Sequence, residues 1–340
     1  MQKHRKWLFV TCLLVIFSLG IAGAGYSQET SLNMGSTSSS SGVYAWCVAA
    51  ANVINKADAG LNVTVVESGA GIDNLKKVRD GVFDFALCID LPSTLQLYEG
   101  TGTFKGEKPY TDVRWLFLRN VFADRLYVRK DANIKTFADL AGKRFCPGIP
   151  GSASASYVMQ YNDILGTGIK LMPMAYGDAV NALKEGRIVG LQKSSGLNSM
   201  DASLIEVNIS TPLAVIGYSE EDVKKIREDI PSMSFMTTKK GTISQLPDIG
   251  PIWEECPIAG AVASTRMSEE VAYNLIKAYM EGIEEVAAAY APIKGWDPVA
   301  DYFKFASEDA FIPAHPGLIR YAKEKGIEVP EYFIPPEYKK

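Results

Sequence analysis

The feature that most constrains the fold is the stretch 32–44, LNMGSTSSSSGVY, in which an apolar run gives way to small residues. A helical pattern follows at once, because Val43, Cys47, Ala50 and Ile54 recur on one face of an α-helix. The stretch therefore predicts a strand, a loop of small residues and a helix N-terminus in direct succession. This order is typical of α/β proteins with parallel strands and crossover helices.

The same plan continues along the chain and then begins again. A β-rich run at 61–66, a helix at 72–80 and a strand at 83–89 follow the first helix. A second alternation starts with a strand at 144–149, and the longest helical pattern, 268–289, comes late. We therefore predict an α/β protein of two lobes with a cleft between them. The predicted limits are 28–122 with 258–340 for lobe 1, and 123–257 for lobe 2.

Two stretches lack a clear pattern. Residues 95–112 are polar with several glycines and indicate a loop, and 234–257 cannot be assigned from periodicity. In open α/β sheets, ligands collect at the carboxyl ends of strands. The small-residue loops that follow the predicted strands are therefore the first candidates for a binding site.

The N-terminus has the layout of a secretory signal peptide. Lys3 to Lys6 is basic, an apolar run follows, and Ala22-Gly23-Ala24 offers the small residues of a cleavage site. The apolar run is short for a membrane span. We expect residues 1–24 to be removed and the mature chain to be soluble and periplasmic; an uncleaved N-terminal anchor is the alternative.

Composition excludes several classes of function. The net charge is −4 and no basic run follows the signal segment, so nucleic acid is a poor partner. Of the two histidines, only His315 lies in the mature chain, which disfavours a multi-histidine metal site. We expect no metal and no cofactor. The cysteines left after cleavage show no metal-like spacing, and both buried free thiols and disulfide pairs remain open for Cys47, Cys88, Cys146 and Cys256.

Anion binding is the chemistry that the two loops favour. Free N–H groups at a helix N-terminus, together with the helix dipole, attract negative charge, and small residues let a ligand approach the backbone. A serine-rich linker or a simple helix cap is the alternative. The candidate contacts are Gly35, Ser36, Thr37 and Ser38 in the first loop, and Ser152, Ala153 and Ser154 in the second.

Further candidates flank these loops. Tyr44 could place its ring against a carbon chain or pack in the core, and Ser68 belongs to the small-residue loop before the second helix. Asp90 ends a strand and could bind an ammonium group or cap the next loop. Arg119 lies near the predicted hinge, where it could hold a carboxylate or form a salt bridge.

The end of another predicted strand completes the candidate set. Lys193 and Ser194 close the strand that follows the short helix of the second lobe. They face the cleft or cap it. Any full positive charge that balances the ligand's anionic group would come from Arg119 or Lys193.

Four segments together resemble the TAXI-type extracytoplasmic solute receptors of TRAP transporters. They are the first Gly/Ser/Thr loop with Tyr44, the stretch 68–75 (SGAGIDNL), the strand 83–90 ending in aspartate, and 139–144 (DLAGKR) with the loop at 151–153. This chain departs from the family in its mostly serine first loop and in Val43, Ala45 and Val189. The resemblance implies a two-lobed periplasmic-binding-protein fold, type II-like, with the ligand in the interlobe cleft.

The resemblance also implies a function. It predicts a non-enzymatic receptor that captures a small organic anion, such as glutamate or a C4/C5 dicarboxylate like 2-oxoglutarate. The receptor would act as a monomer and deliver the anion to a membrane-embedded TRAP permease. A binding protein of an ABC transporter is the alternative, and a secreted deaminase-like or synthase-like enzyme on the same fold is a more distant one.

Overall fold

The apolar runs of the sequence become the strands of two separate sheets in the computed structural model, which describes residues 29–338. The predicted signal peptide and its cleavage site lie outside the described residues. The strands, in chain order, are β1 Thr30–Gly35, β2 Leu61–Val66, β3 Phe85–Asp90, β4 Val113–Val121, β5 Ala123–Arg129, β6 Arg144–Cys146, β7 Lys170–Leu171, β8 Gly190–Ser195, β9 Leu213–Ile216, β10 Phe235–Thr238, β11 Ile252–Glu255 and β12 Ile258–Ser264.

Helices cover both sheets. They are α1 Tyr44–Lys56, α2 Gly71–Arg79, α3 Leu91–Glu99, α4 Ala153–Ile164, α5 Tyr176–Lys184, α6 Ala202–Ser210, α7 Glu220–Asp229, α8 Glu269–Glu281, α9 Ile283–Ala289, α10 Ala300–Phe305 and α11 Pro316–Glu324. Within 29–338, none of them is both long enough and apolar enough to span a membrane.

The first sheet has the strand order β2-β1-β3-β12-β4. Its first three strands are parallel, as the repeated strand–loop–helix plan predicts, and β12 runs antiparallel to β3 and β4. Parallel neighbours bring the ends of β1, β2 and β3 to one edge of the sheet. The loops that follow these strands therefore lie side by side.

The second sheet has the order β10-β11-β5-β8-β6-β7, and β9 also pairs with β5. Strand β6 is parallel to β7 and β8, whereas β5 runs antiparallel to β8, β9 and β11. The chain passes between the sheets twice, through Phe122 after β4 and through Cys256 and Pro257 before β12. Two short crossings join the lobes, as expected of a two-lobed fold.

The apolar cores follow the same division. Residues that pack on the first sheet run from Leu32 to Ala123 and from Cys256 to Phe333, whereas those on the second lie between Leu126 and Ile243. The lobe limits given above stay a prediction; the strands of each sheet fall within them. Below, the first lobe means the first sheet with its packed helices, and the second lobe the second sheet with its own.

Two predicted elements are corrected, and one unassigned stretch gains its structure. Part of the stretch 95–112 is helical, because α3 begins at Leu91 and ends at Glu99, capped by Asp90. The late helix is two helices, α8 and α9, which meet at Gly282; a Cβ there would lie 2.4 Å from the Val53 side chain, so only glycine allows this approach to α1. The stretch 234–257, which had no assignment, contains the antiparallel pair β10 and β11.

Candidate functional site

A cleft opens between the lobes at the ends of their strands. It contains about 790 Å³ of empty space, part of it open to solvent. Nine of the residues predicted from the sequence line this cleft: Thr37, Ser38, Asp90, Arg119, Ser152, Ala153, Ser154, Lys193 and Ser194. Gly35, Ser36, Tyr44 and Ser68 are not among the residues that line it.

Ser36 lies in the wall behind the cleft, which corrects its predicted role as a ligand contact. Its side chain is fully buried, its N–H donates to the Val66 carbonyl oxygen at 3.0 Å, and its hydroxyl donates to the same oxygen at 2.7 Å. The Ser36 carbonyl accepts from the Ser68 hydroxyl at 2.9 Å and from the Asn74 amide at 2.8 Å. Both donors of Ser36 are thus used, and Ser68 serves this loop rather than a ligand.

Gly35 and Tyr44 also have structural positions. A Cβ on Gly35 would lie 2.5 Å from the Phe83 ring, so the glycine permits close packing at the end of β1. Tyr44 is half-buried at the start of α1, outside the cleft. The remaining candidates of this loop, Thr37 and Ser38, face the cleft, and within 29–338 their peptide N–H groups have no hydrogen-bond acceptor.

The second loop presents a helix N-terminus to the cleft. Ser152 caps α4, because its Oγ accepts from the Ala155 N–H at 3.1 Å. The N–H groups of Ala153 and Ser154 have no acceptor in the part of the chain that the structure describes. Since α4 is twelve residues long, its dipole adds a partial positive charge at the same place.

Arg119 is a buried cation without a carboxylate partner. The residue is 3% exposed, its Nε donates to Asn120 Oδ1 at 2.7 Å, and its guanidinium lies 4.9 Å from the Phe122 ring centre and 5.3 Å from that of Trp46. It forms no salt bridge with any described residue, so the hinge salt bridge left open as an alternative is not what the structure shows between 29 and 338.

Arg125, in the next strand, shows what a satisfied buried arginine looks like in this protein. It pairs with Glu254, with Nε 2.8 Å from Oε1, and donates three further hydrogen bonds of 2.6 Å to the carbonyls of Gly196, Leu197 and Ser199. Arg119 has one such bond. The difference leaves the terminal nitrogens of Arg119 for the cleft.

Lys193 supplies a second cation from the opposite lobe. It is 8% exposed, its Nζ donates to the Ser41 Oγ at 3.1 Å across the cleft, and it lies 4.5 Å from the Tyr176 ring centre. No carboxylate within the described range pairs with it. Two buried cations therefore face one cleft from two sides.

Two buried carboxylates also line the cleft. Asp90 caps α3 through the Ser93 N–H at 2.8 Å and accepts from the Tyr157 hydroxyl of the second lobe at 2.5 Å; burial raises its pKa. Asp124 accepts from the hydroxyls of Ser154, at 2.8 Å, and Ser194, and burial raises its pKa to about 6. The hydroxyls of Ser154 and Ser194 are therefore committed to Asp124.

The sequence did not single out Asp124, although a carboxylate next to Arg125 in an otherwise apolar strand was a visible signal. It also missed Ser41, Cys88 and Phe122, which line the cleft too. Their roles depend on contacts between distant segments. Ser41, for example, accepts from a lysine of the other lobe.

His315 lies away from the cleft and has a structural role. Its Nδ1 accepts from the Gly317 N–H at 3.2 Å and so caps α11. Burial lowers its pKa to about 4. No cluster of three or more His, Cys, Asp or Glu side chains suited to a metal occurs among the described residues.

Comparison with known structures finds several that are similar to this chain. A protein from Bordetella bronchiseptica matches over 92% of both chains at 17% identity, with a TM-score of 0.50. The alkanesulfonate-binding protein SsuA from Xanthomonas axonopodis pv. citri, bound to MOPS, matches at 14% identity over 78% of this chain and 82% of that one, with a TM-score of 0.46. The substrate-binding protein of an amino acid ABC transporter matches at 11% identity over 78% and 100%, with a TM-score of 0.45.

Comparison with protein families gives a match over most of the described chain. The model of the NMT1-like family covers residues 34–326, a range that includes both sheets from the end of β1 onward and both sides of the cleft. The chain belongs to the NMT1-like family.

Proposed function

We propose that this protein is a solute receptor whose two lobes close on a small organic anion. The observation that carries the proposal is the pair of buried cations, Arg119 and Lys193, which face one cleft without a carboxylate partner in the described chain. Leaving a buried charge unpaired is costly, so such cations call for an anion from outside. A ligand carboxylate would supply the missing negative partner for both cations.

The backbone adds donors to this anion site. Free N–H groups of Ala153 and Ser154 approach from the second lobe, and those of Thr37 and Ser38 from the first. A hydrogen bond to a charged group contributes about 1.5–3 kcal/mol, and each lobe supplies such bonds. Because the anion uses donors from both lobes, its binding favours the closed arrangement.

Asp90 and Asp124 narrow the choice among the candidate ligands. They would repel a second carboxylate beside them in the cleft and stabilise an ammonium group there. Among the candidates from the sequence, this polarity favours glutamate, which carries both charges, over 2-oxoglutarate and other C4/C5 dicarboxylates.

Delivery to a membrane permease completes the proposal. The sequence motifs favour a TRAP permease, and an ABC permease is the alternative; a gene for a fused multi-span permease beside this one would decide for TRAP. The protein would act in the periplasm, as a monomer and without turning over its ligand. The absence of turnover can be tested by prolonged incubation with the protein, after which the bound molecule should be recovered unchanged.

Calorimetric titration with L-glutamate, 2-oxoglutarate and succinate tests the site. We expect Arg119→Gln and Lys193→Gln to weaken the best ligand by roughly 10- to 150-fold, since each loses a charged hydrogen bond. Arg187→Gln is the matched control, because Arg187 pairs with Glu185 on the surface and should leave affinity unchanged. If both cleft variants stay folded and bind like wild type, the proposed site is wrong.

A further inference from the structure

A pair of cysteines lies beside the anion site. Cys47, in the first turn of α1, is fully buried, whereas Cys88, in β3, is half-buried and lines the cleft. Their Sγ atoms are 3.4 Å apart. We propose that Cys47 and Cys88 form a redox-active dithiol, which external disulfides convert to an intramolecular disulfide at the wall of the cleft.

The backbone of β3 places Cys88 for this role. Ala86 pairs with Val262 and Ile89 with Gly260, so that Leu87 and Cys88 together oppose the single residue Ala261. This is a β-bulge, and Cys88 has a φ of +59°, a left-handed value that non-glycine residues rarely adopt. Such bulges redirect side chains next to functional sites, and here the side chain reaches both α1 and the cleft.

The surroundings assign different roles to the two thiols. The hydrogen bond from Cys47 lowers the pKa of Cys88, and the positive charges of Arg119 and Lys193 lower it further. Burial, in contrast, raises the pKa of Cys47. Cys88 also lines the cleft, whereas Cys47 is fully buried, so an external disulfide reaches Cys88 first. Cys88 is therefore the attacking thiolate, and Cys47 is the thiol that resolves the intermediate.

The exchange needs an external disulfide, either oxidised glutathione or the Cys-X-X-Cys disulfide of an oxidant protein. The Cys88 thiolate attacks one sulfur and displaces a thiolate, which takes up a proton, leaving a mixed disulfide on Cys88. Cys47 then loses its proton, attacks Cys88 Sγ and displaces the second thiolate, which is protonated. Two protein thiols are oxidised to one disulfide, and one external disulfide is reduced to two thiols.

Bond formation would move the wall of the cleft. A disulfide has an S–S distance of about 2.05 Å, so the sulfurs must approach each other from their present 3.4 Å. This draws Cys88 towards α1 and changes the surface that adjoins Arg119. The redox state of the pair thus bears directly on the anion site.

Intact mass and peptide mapping of wild-type protein test the proposal without any ligand. After incubation with oxidised glutathione, we expect a loss of about 2 Da, two hydrogens, and a Cys47–Cys88 cross-linked peptide. Dithiothreitol should reverse both changes. Cys146→Ser and Cys256→Ser are the controls and should still form the cross-link, whereas Cys88→Ser should not. Unchanged mass, or a cross-link through Cys146 or Cys256, would overturn the proposal.

A second measurement tests the attacking role of Cys88. In Cys47→Ala, we expect the anionic reagent iodoacetate to alkylate Cys88 about tenfold faster than the neutral reagent iodoacetamide, because Arg119 and Lys193 attract anions. Free cysteine under the same conditions gives the reference ratio. A ratio at or below that of free cysteine would overturn the assignment of Cys88 as the attacking thiolate.

Discussion

The two lobes meet the same cleft with different chemistry. The first lobe contributes Arg119, and its buried carboxylate Asp90 accepts hydrogen bonds from a helix N–H and two hydroxyls. The second contributes Lys193 and Asp124; Glu255, in cross-strand register with Asp124 but not among the residues that line the cleft, keeps an oxygen without a hydrogen-bond partner among residues 29–338. Among the buried carboxylates, Asp90 of the first lobe is thus better satisfied than Glu255 of the second.

The two small-residue loops also differ in the hydrogen-bond partners of their donors. In the first lobe, β2 extends to Val66, whose carbonyl accepts both donors of Ser36. In the second, β6 and its neighbour β7 are short, and among the described residues the N–H groups of the loop after β6 make only the local bond from Ser152 to the Ile149 carbonyl. Ser36, opposite the end of β2, has its donors used within the protein, whereas the N–H groups of Thr37 and Ser38, like those of Ala153 and Ser154, remain for a ligand.

The largest predicted effect concerns pH and has opposite sign in the two lobes. For His315, the folded pKa of about 4 lies below its ordinary 6.5, so the stability it provides is complete above 6.5 and is lost as pH falls towards 4. For Asp124, the folded pKa of about 6 lies above its ordinary 3.8, so its contribution is complete below 3.8 and is lost as pH rises through 6.

Each shift of roughly two units corresponds to about 3 kcal/mol. As the pH falls from 7 to 4.5, protonation of His315 destabilises wild type, and His315→Gln should lack most of this destabilisation. Over the same range, protonation of Asp124 stabilises wild type, and Asp124→Asn should lack most of this stabilisation. Urea unfolding of wild type and both variants at the two pH values measures this. If the variants follow the pH dependence of wild type, or shift it in the same direction, the contrast between the lobes fails.

The next effect concerns the free N–H groups of α4. Ala153→Leu places a bulky side chain beside them and beside Gly71, whose position already lies close to the Ala153 backbone. We expect affinity for L-glutamate to fall by roughly 10- to 150-fold, the value of one charged hydrogen bond. Calorimetry measures this, and Ala49→Leu, on α1 outside the cleft, tests whether core bulk alone weakens binding. Equal losses in both variants would contradict a specific role for the α4 N-terminus.

Much of the fold could be predicted from the sequence, because it depends on local periodicity. Strand β2 lies at the predicted residues, and α2 lies within one residue of the predicted range 72–80. Helix α3 was missed because Pro92 and the polar stretch after it indicated a loop. A proline in the first turn after an aspartate is in fact an N-terminal helix signal, and Asp90 with Pro92 fits it.

The site was less accessible to sequence reasoning. Arg119 and Arg125 look alike in the sequence, but only the structure shows that one is paired with Glu254 and the other is not. The serine loop lies between β1 and α1, as the sequence predicts. Whether its N–H and hydroxyl groups bond within the protein depends on where β2 ends. Side-chain pairing between distant segments has no local pattern, so periodicity and composition could not predict it.

The smallest predicted effect compares one hydroxyl from each loop. Ser36→Ala removes the 2.7 Å bond to the Val66 carbonyl, and Ser152→Ala removes the cap on the Ala155 N–H. Both should lower the free energy of unfolding by about 1 kcal/mol, since each loses one neutral hydrogen bond or one helix cap. Urea unfolding at pH 7 measures this decrease in the free energy of unfolding for both variants.

Affinity for L-glutamate should separate the two variants. Ser36 faces away from the cleft and its N–H still holds Val66, so Ser36→Ala should bind like wild type. Ser152 fixes the first turn of α4, whose free N–H groups point at the anion, so fraying of that turn should weaken binding by about threefold to tenfold, part of a charged hydrogen bond. A weaker Ser36→Ala with an unaffected Ser152→Ala would contradict this comparison, because binding would then depend on the Ser36 hydroxyl and not on the first turn of α4.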